Sequence, residues 1–353
     1  MKRTLILLLC VALFSAVQAQ KPKNVIYIIG DGMGTAQVYA SIVAQKNSSN
    51  FLRFPFSGFS RTYSHNRYTT DSGAGGTALM TGHKVDNYHI AIGPKGEWYP
   101  SLFAMANELG KSTGFVVTVS VIDATPATTY GHVPHRRHYD TLALQMSKAP
   151  LDVMIGCDRY RFFKEHRIDK QSPIDTLKQR GYDVVFNLKE MNRSKSDRLC
   201  ALLSENEEPG DVDQRGPILK DGVTKALDIL SKNPKGFMLL VEGSQIDWAC
   251  HNNDSPYLQK ELAEFDEMLG IVLDWAERDG NTLVVVTADH ETGGVTMPDG
   301  DIKKGQNEIK YSTGGHTGVM VPVFSYGPGA EIFSGIQQNY DVANKIKKLA
   351  IDK

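Results

Sequence analysis

Lys23–Gly34 reads KNVIYIIGDGMG: an unbroken apolar run that stops on a glycine and an acidic residue, Asp31. Continuous apolar residues with several β-branched among them fit a strand buried on both faces, the kind found inside a mainly parallel sheet. The same figure recurs. GFVVTVSVIDATP (114–126) runs out at Asp123, GFMLLVEGSQID (236–247) at Glu242, and NTLVVVTADHETGG (281–294) at Asp289 and His290. Helical patterns lie between them. PSLFAMANELG (100–110) ends on a glycine, DGVTKALDILSKNP (221–234) ends on a proline, and YDVANKIKKLA (340–350) closes the chain. In SPYLQKELAEFDEMLGIVLDWAERDG (255–280), Leu258, Leu262, Phe265, Leu269, Val272 and Trp275–Ala276 recur every three to four residues, a stripe that faces a core. LDVMIGC (151–157), GYDVVFN (181–187) and RLCALLS (198–204) read as further strands. Alternating strands and helices predict an α/β fold, a doubly wound, mainly parallel central sheet with helices on both faces. In such folds ligands sit beyond the carboxyl ends of the strands, so the acidic exits should converge on one edge.

The first residues stand apart from this pattern. MKRTLILLLCVALFSAVQAQ opens with Lys2 and Arg3, continues with an apolar run from Leu5 to Phe14, and reaches small residues before Ala19. That is the form of a secretory signal peptide over 1–19, leaving 20–353 as a single catalytic domain that works in the periplasm or outside the cell, with no membrane attachment after cleavage. The apolar run is too short to span a bilayer comfortably. A formal net charge of −1 provides no strong field for nucleic acid, which is not expected as a specific partner. Outside the leader, Cys157, Cys200 and Cys250 form an odd set; a bridge between Cys157 and Cys200 is compatible with an oxidising compartment and stays open.

TTDSGAGGTALMTG (69–82) raises a different question. Gly73, Gly75 and Gly76 fall in the first turns of what should be a helix, at roughly 1 kcal/mol each relative to Ala. They follow a lone hydroxyl, Ser72, and clear space around it. No G-x-S-x-G elbow and no neighbouring histidine explain how that hydroxyl would be activated.

Metal-ligand chemistry supplies an answer. In VEGSQIDWACH (241–251), Asp247 and His251 share a helical face, although such a pair alone is equally the chemistry of a surface salt bridge. TADHETGG (287–294) places Asp289 and His290 at a strand exit, where an ordinary turn would also fit. GDGMG (30–34) could be a simple tight turn, and TGGHTG (313–318) gives His316 between glycines. Carboxylates mixed with imidazoles and no thiolate suit catalytic zinc, whereas carboxylates with a hydroxyl suit magnesium. Taken together, Asp31, Glu242, Asp247, His251, Asp289, His290 and His316 fit a multi-metal hydrolytic centre able to hold the attacking and leaving oxygens of a phosphoryl displacement.

With TDSGAGGTA, DATPA, VEGSQID, TADHETGG and GGHTG in this order, the sequence resembles the alkaline phosphatases over nearly the whole chain after the leader. The resemblance implies hydrolysis of a broad range of phosphate monoesters through a phosphoseryl intermediate on Ser72, at two zinc ions and one magnesium. It implies Asp247, His251 and His316 as ligands of one zinc, Asp31, Asp289 and His290 of the other, and Asp31, Thr125 and Glu242 of the magnesium. Arg136 in GHVPHRRHYD (131–140) matches the phosphate-binding arginine, Asp71 would position it, and a homodimer is implied. Near the magnesium the family pairs an Asp with a Lys, a His with a His or a His with a Trp; here Asp123 stands with Trp248, a mixture that leaves the third metal open. His132, His135 and His138 read as loop residues around the arginine, and Cys250 as a buried spectator beside His251. The short polar run PDGDIKKGQNEIKYSTGG (298–315) stands where longer members carry a large insertion, so the site should be open. Sulfatases and phosphodiesterases of the same superfamily are the nearest rivals. Ser72 in its motif, Glu242 and Arg136 favour monoesters. A decayed, non-catalytic binding protein would be expected to have lost ligands.

Overall fold

Why the apolar runs are continuous is visible in which core each residue joins. Along the first strand, Val25, Tyr27 and Ile29 pack into one hydrophobic cluster while Ile26 and Ile28 pack into another. The strand at 282–287 divides in the same way, Leu283 and Val285 against Val284 and Val286. Each strand therefore needs apolar side chains at both parities. This arrangement comes from a computed structural model, which describes residues 21–352; the expected leader at 1–19 lies outside the described residues.

The strands are β1 (Asn24–Gly30), β2 (Phe56–Arg61), β3 (Ser112–Ser120), β4 (Val153–Cys157), β5 (Asp183–Val185), β6 (Leu199–Leu202), β7 (Phe237–Gly243), β8 (Thr282–Thr287), β9 (Glu291–Thr292), β10 (Thr296–Asp301), β11 (Gln306–Lys310), β12 (His316–Thr317), β13 (Val321–Tyr326) and β14 (Gly335–Gln338). A ten-stranded sheet runs β14-β2-β13-β8-β1-β7-β3-β4-β6-β5. Its paired neighbours are parallel except at β13, which lies antiparallel to β2 and β8. The weak apolar runs at 151–157, 181–187 and 198–204 are indeed strands, stacked at one edge of the sheet.

Helices cover both faces. One cluster takes Leu79 and Met80 from the helix Ser72–Thr81, Phe103 from Leu102–Glu108 and Ile346 from Asn339–Ala350. The other takes Val223 from Ile218–Leu230 and the predicted stripe of the long helix Ser255–Asp279, where Leu258, Leu262, Phe265, Leu269, Val272 and Ala276 are buried. Trp275, half-buried, meets Phe237 edge-on at 5.4 Å.

Register decides what reaches the sheet's edge. Ile29 of β1 stands level with Glu242 of β7 on one side and with Thr287 of β8 on the other. Asp31 and Asp289 each follow two residues later, so adjacent parallel strands deliver them side by side. Since β8, β1, β7 and β3 are neighbours, their carboxyl ends open onto one spot.

The cysteine question closes here. Cys157, Cys200 and Cys250 are free and buried. Although β4 and β6 are paired, Cys200 lies opposite Met154, and Cys157 sits three residues farther along, on the order of 10 Å at strand rise, too far for a bridge. The polar run at 298–315 forms the small antiparallel hairpin β10–β11. No helix among the described residues is long and apolar enough to cross a membrane.

Candidate metal centre and nucleophile

At the common edge of those strands, two sets of donors converge. Asp247, His251 and His316 bring one donor atom each within 4.8 Å of one another, and so do Asp31, Asp289 and His290. The second set is buried throughout; the first opens to solvent through His251. Asp247 and His251 come from the helix Gln245–His251 that follows β7, and His316 from β12, which pairs with β9 so that His316 lies opposite Thr292.

Hydrogen bonds fix which imidazole nitrogen faces inward. His251 Nδ1 lies 2.7 Å from the Gly314 carbonyl and His316 Nδ1 lies 2.9 Å from that of Thr70. A carbonyl accepts only, so both Nδ1 atoms carry a proton; His316 Nε2 offers a lone pair, and His251 Nε2, 3.1 Å from it and 3.2 Å from Asp247 Oδ2, offers one once its own proton is lost. His290 is held by a longer chain. The Thr292 hydroxyl donates to Asp247, so its oxygen accepts from His290 Nδ1 at 3.2 Å. His290 Nε2 then points at Ser72 Oγ, 3.3 Å away, and at Asp31 and Asp289 at 3.4 and 3.2 Å. The His290 and His316 rings stack at 3.5 Å.

Charge at this edge is badly unbalanced. Burial, then the charges of Asp289, Asp247, Glu242 and Asp123, push the Asp31 carboxyl well above its usual range. Burial and the neighbouring acids raise Glu242 to about 8, and burial and Asp247 raise Asp289 to about 6. Burial lowers His290 and His316 to about 4, keeping both neutral, while the hydrogen bond to Asp247 lifts His251 to about 9. Asp31 Oδ1, Asp289 Oδ2 and Thr125 Oγ1 are buried without any hydrogen-bond donor. Native proteins rarely leave such atoms orphaned. Convergent lone pairs, orphaned oxygens and crowded carboxylates are the chemistry of a cation site.

Beside the metal sets stands Ser72, the first residue of the helix Ser72–Thr81, capped by Asp71, whose Oδ1 accepts from the Ala74 amide at 3.0 Å. The costly glycines are contact points. A Cβ on Gly75 would come within 3.0 Å of the Asp289 carbonyl, and one on Gly76 within 3.3 Å of Thr128. Arg136 spans two carboxylates: Nη1 to Asp71 at 3.2 Å and Nη2 to Asp123 at 2.8 Å. Burial opposes its charge, yet Asp123 and Asp71 hold its pKa above the ordinary arginine value. The neighbouring Arg137 is exposed.

Glu242, fully buried, accepts from Ser244 Oγ at 2.7 Å, and Thr125 lies on the short helix Ala124–Ala127 capped by Asp123. Trp248 lines a cavity of about 250 Å³ with Asp123, Arg136, Tyr139 and the acidic pair Glu207 and Glu208. Cys250 is buried, takes a weak hydrogen bond from Gln37 and stands outside both donor sets. His132 and His135 stack on Trp98 and Tyr88, and neither belongs to a donor set.

Sequence reasoning missed Thr292, the hydroxyl joining Asp247 to His290; its place in TADHETGG was the only available signal. It also missed Glu207 and Tyr88. Tyr88 donates its backbone N–H to Asp71 Oδ1 at 2.9 Å.

Comparison with known proteins agrees with this arrangement. The family model for alkaline phosphatase matches residues 22–304. Alkaline phosphatase 4 of Bacillus subtilis is 30% identical, over 93% of this chain and 88% of its own. The solved alkaline phosphatase of the Antarctic bacterium TAB5 superposes with a TM-score of 0.87 at 33% identity, covering 94% of this chain and 98% of that one. A variant of the TAB5 enzyme with a histidine replaced by aspartate, solved with magnesium in its M3 site, gives the same TM-score of 0.87 at 34% identity, covering 95% of this chain and all of that one.

Replacing Thr292 with Val keeps the shape and removes the hydroxyl. Affinity for divalent metal should fall about 10- to 100-fold, the usual cost of losing such a supporting partner. Competition with a chelator, read as metal bound per chain, checks this; unchanged affinity would mean that Thr292 does not orient its neighbours.

Proposed function

The chain belongs to the alkaline phosphatase family, whose members are metal-dependent and hydrolyse phosphate monoesters, and we propose that it does so through a phosphoseryl intermediate on Ser72. In this reading Asp247, His251 and His316 hold one zinc, Asp31, Asp289 and His290 a second, and Asp31, Thr125 and Glu242 a magnesium. The bound ions supply Lewis acidity, which lowers the pKa of an oxygen nucleophile and neutralises charge on phosphate. Ser72 Oγ would give up its proton and bond to phosphorus as the P–O bond to the leaving group breaks, and the departing alkoxide takes up one proton, so that the net transfer moves the serine proton to the alcohol. Water then cleaves the Oγ–P bond, restores the hydroxyl and releases inorganic phosphate. Arg136 holds two non-bridging oxygens of the phosphoryl group, and Asp71 and Asp123 fix the guanidinium's plane.

The observation that carries this reading is Ser72 Oγ at 3.3 Å from the inward lone pair of His290, at the start of a helix and beside two donor sets. For the third metal, Asp123 brings another carboxylate next to Glu242, which favours the hard, oxygen-seeking magnesium. The magnesium-holding aspartate variant of the TAB5 enzyme supports the same choice. Trp248 provides no charge in return, so the phosphate is gripped by Arg136 alone among the flanking residues.

We further propose that 1–19 is a cleaved leader and that the mature chain acts outside the cytoplasm as a homodimer. Mass spectrometry of secreted protein should find a start near Gln20; a soluble product that retains the leader would count against export.

Ser72→Ala should abolish trapping of labelled phosphate on the protein in acid-quenched reactions while bound metal stays the same. Equal trapping on the variant would place the nucleophile elsewhere. Arg136→Ser removes a forked, charge-assisted contact worth roughly 1.5–3 kcal/mol, so kcat/KM for an aryl monoester should drop about 10- to 150-fold. A matched diester, which has one non-bridging oxygen fewer to offer, should lose far less. Equal losses on both esters would make Arg136 a structural residue.

A further inference from the structure

Tyr88 has a backbone that the centre uses and a side chain that it does not. Its N–H donates to Asp71 at 2.9 Å, and its carbonyl accepts from the Arg136 amide at 2.7 Å. A Cβ built on Gly73, the residue after the nucleophile, would lie 3.4 Å from the Tyr88 carbonyl carbon. The peptide thus touches both the nucleophile's turn and the arginine clamp. To make these contacts Tyr88 adopts φ of 74°, the left-handed region that suits glycine or asparagine. Either residue would provide the same N–H and carbonyl with less strain, so the backbone bonds do not explain an aromatic side chain here. Strain kept at a site points to use.

Tyr88 is 50% exposed. It stacks on His135 at 5.2 Å with the planes 7° apart, and His135 is followed in the chain by Arg136. His138 continues the row at 6.3 Å and 26°. Three rings therefore line up, with half-exposed Tyr88 at one end, on segments whose backbone touches Asp71 and Arg136. Stacking the phenol on an imidazole orders it before any substrate arrives, which removes part of the entropy cost of binding.

We propose that Tyr88, backed by His135, is a stacking platform for the planar aromatic leaving group, aryl or nucleobase, of a phosphate monoester. The enzyme then discriminates among monoesters at the rim, by the shape of the alcohol, while the centre handles a phosphate common to all. The inference rests on the phosphomonoesterase reading above.

The test compares kcat/KM for 2-naphthyl phosphate with that for ethyl phosphate in the metal-loaded enzyme. The ratio of the two cancels any backbone disturbance common to both. Tyr88→Asn keeps a residue at ease in the left-handed region and removes the ring; the naphthyl-to-ethyl ratio should fall about 3- to 10-fold, chiefly through KM of the naphthyl ester. Tyr88→Phe keeps the ring and should hold the ratio within about twofold. His135→Ala, which leaves the Tyr88 backbone intact, should lower the ratio in the same direction and serves if the Asn variant fails to fold. An unchanged ratio in an active Tyr88→Asn enzyme, or an equal fall in Tyr88→Phe, overturns the platform alone. A wild-type enzyme that hydrolyses neither ester overturns the phosphomonoesterase premise with it.

Discussion

The structure turns on a concentration of negative charge that the protein alone cannot neutralise. Asp31, Glu242, Asp247 and Asp289 are buried at one edge of the sheet, with Asp71 and Asp123 alongside, and Arg136 is bound to the last two. Desolvating one unpaired carboxylate costs several kcal/mol, and each like charge nearby adds to it. Raised carboxyl pKa values mark the strain: in the absence of cations the site would take up protons. Divalent ions relieve both penalties, so metal binding and the stability of this edge are linked. The hydrophobic sheet beneath must be rigid enough to hold the carboxylates together in the meantime. Strands buried on both faces meet that need.

Close approach is the second requirement. The helix behind Ser72 is buried along its whole length, which leaves no space for side chains between it and the Asp289 segment. Gly75 and Gly76 lose helix propensity of about 1 kcal/mol each; in exchange Gly75 lets the helix approach the Asp289 backbone and Gly76 lets it approach Thr125 and Thr128. What reads locally as a poor helix is a good interface. Tertiary packing sets the residue type at these positions, not the helix.

This explains what could be read in advance. The sheet was legible because a strand with two buried faces must be apolar at every position, and its end is marked when an acidic residue interrupts the run. Both metal sets were legible as residues: every donor but His316 sits at a strand exit or on the helix after one, and His316, which opens β12, is marked by the glycines around it. Partnership was not. Nothing in the local sequence says that Thr292 donates to Asp247 and thereby fixes the His290 tautomer, because that chain joins the β8–β9 segment to a helix some 45 residues earlier. The antiparallel β13, VPVFSY, breaks its apolar run with Pro322 and Ser325, and strand direction depends on connections that periodicity does not encode. The Cys157–Cys200 question likewise depended on register, which pairs Cys200 with Met154.

Centre and rim also differ in what each can recognise. The centre is built from full charges and fixed lone pairs, which in the proposed mechanism would act on phosphate whatever alcohol it carries. Such groups would not select between an alkyl and an aryl ester, since the two would present the same oxygens to Arg136 and the metals. Only surface beyond the phosphate can distinguish them. The two segments that carry Tyr88 and His135 are therefore well placed for selectivity. They are tied by backbone hydrogen bonds at Tyr88 to Asp71 and Arg136, which fixes where their side chains stand while leaving the identity of those side chains free to change. A site whose chemistry depends on charge balance tolerates little variation in its ligands; its specificity has to be carried by residues that contribute only their peptide groups to that balance.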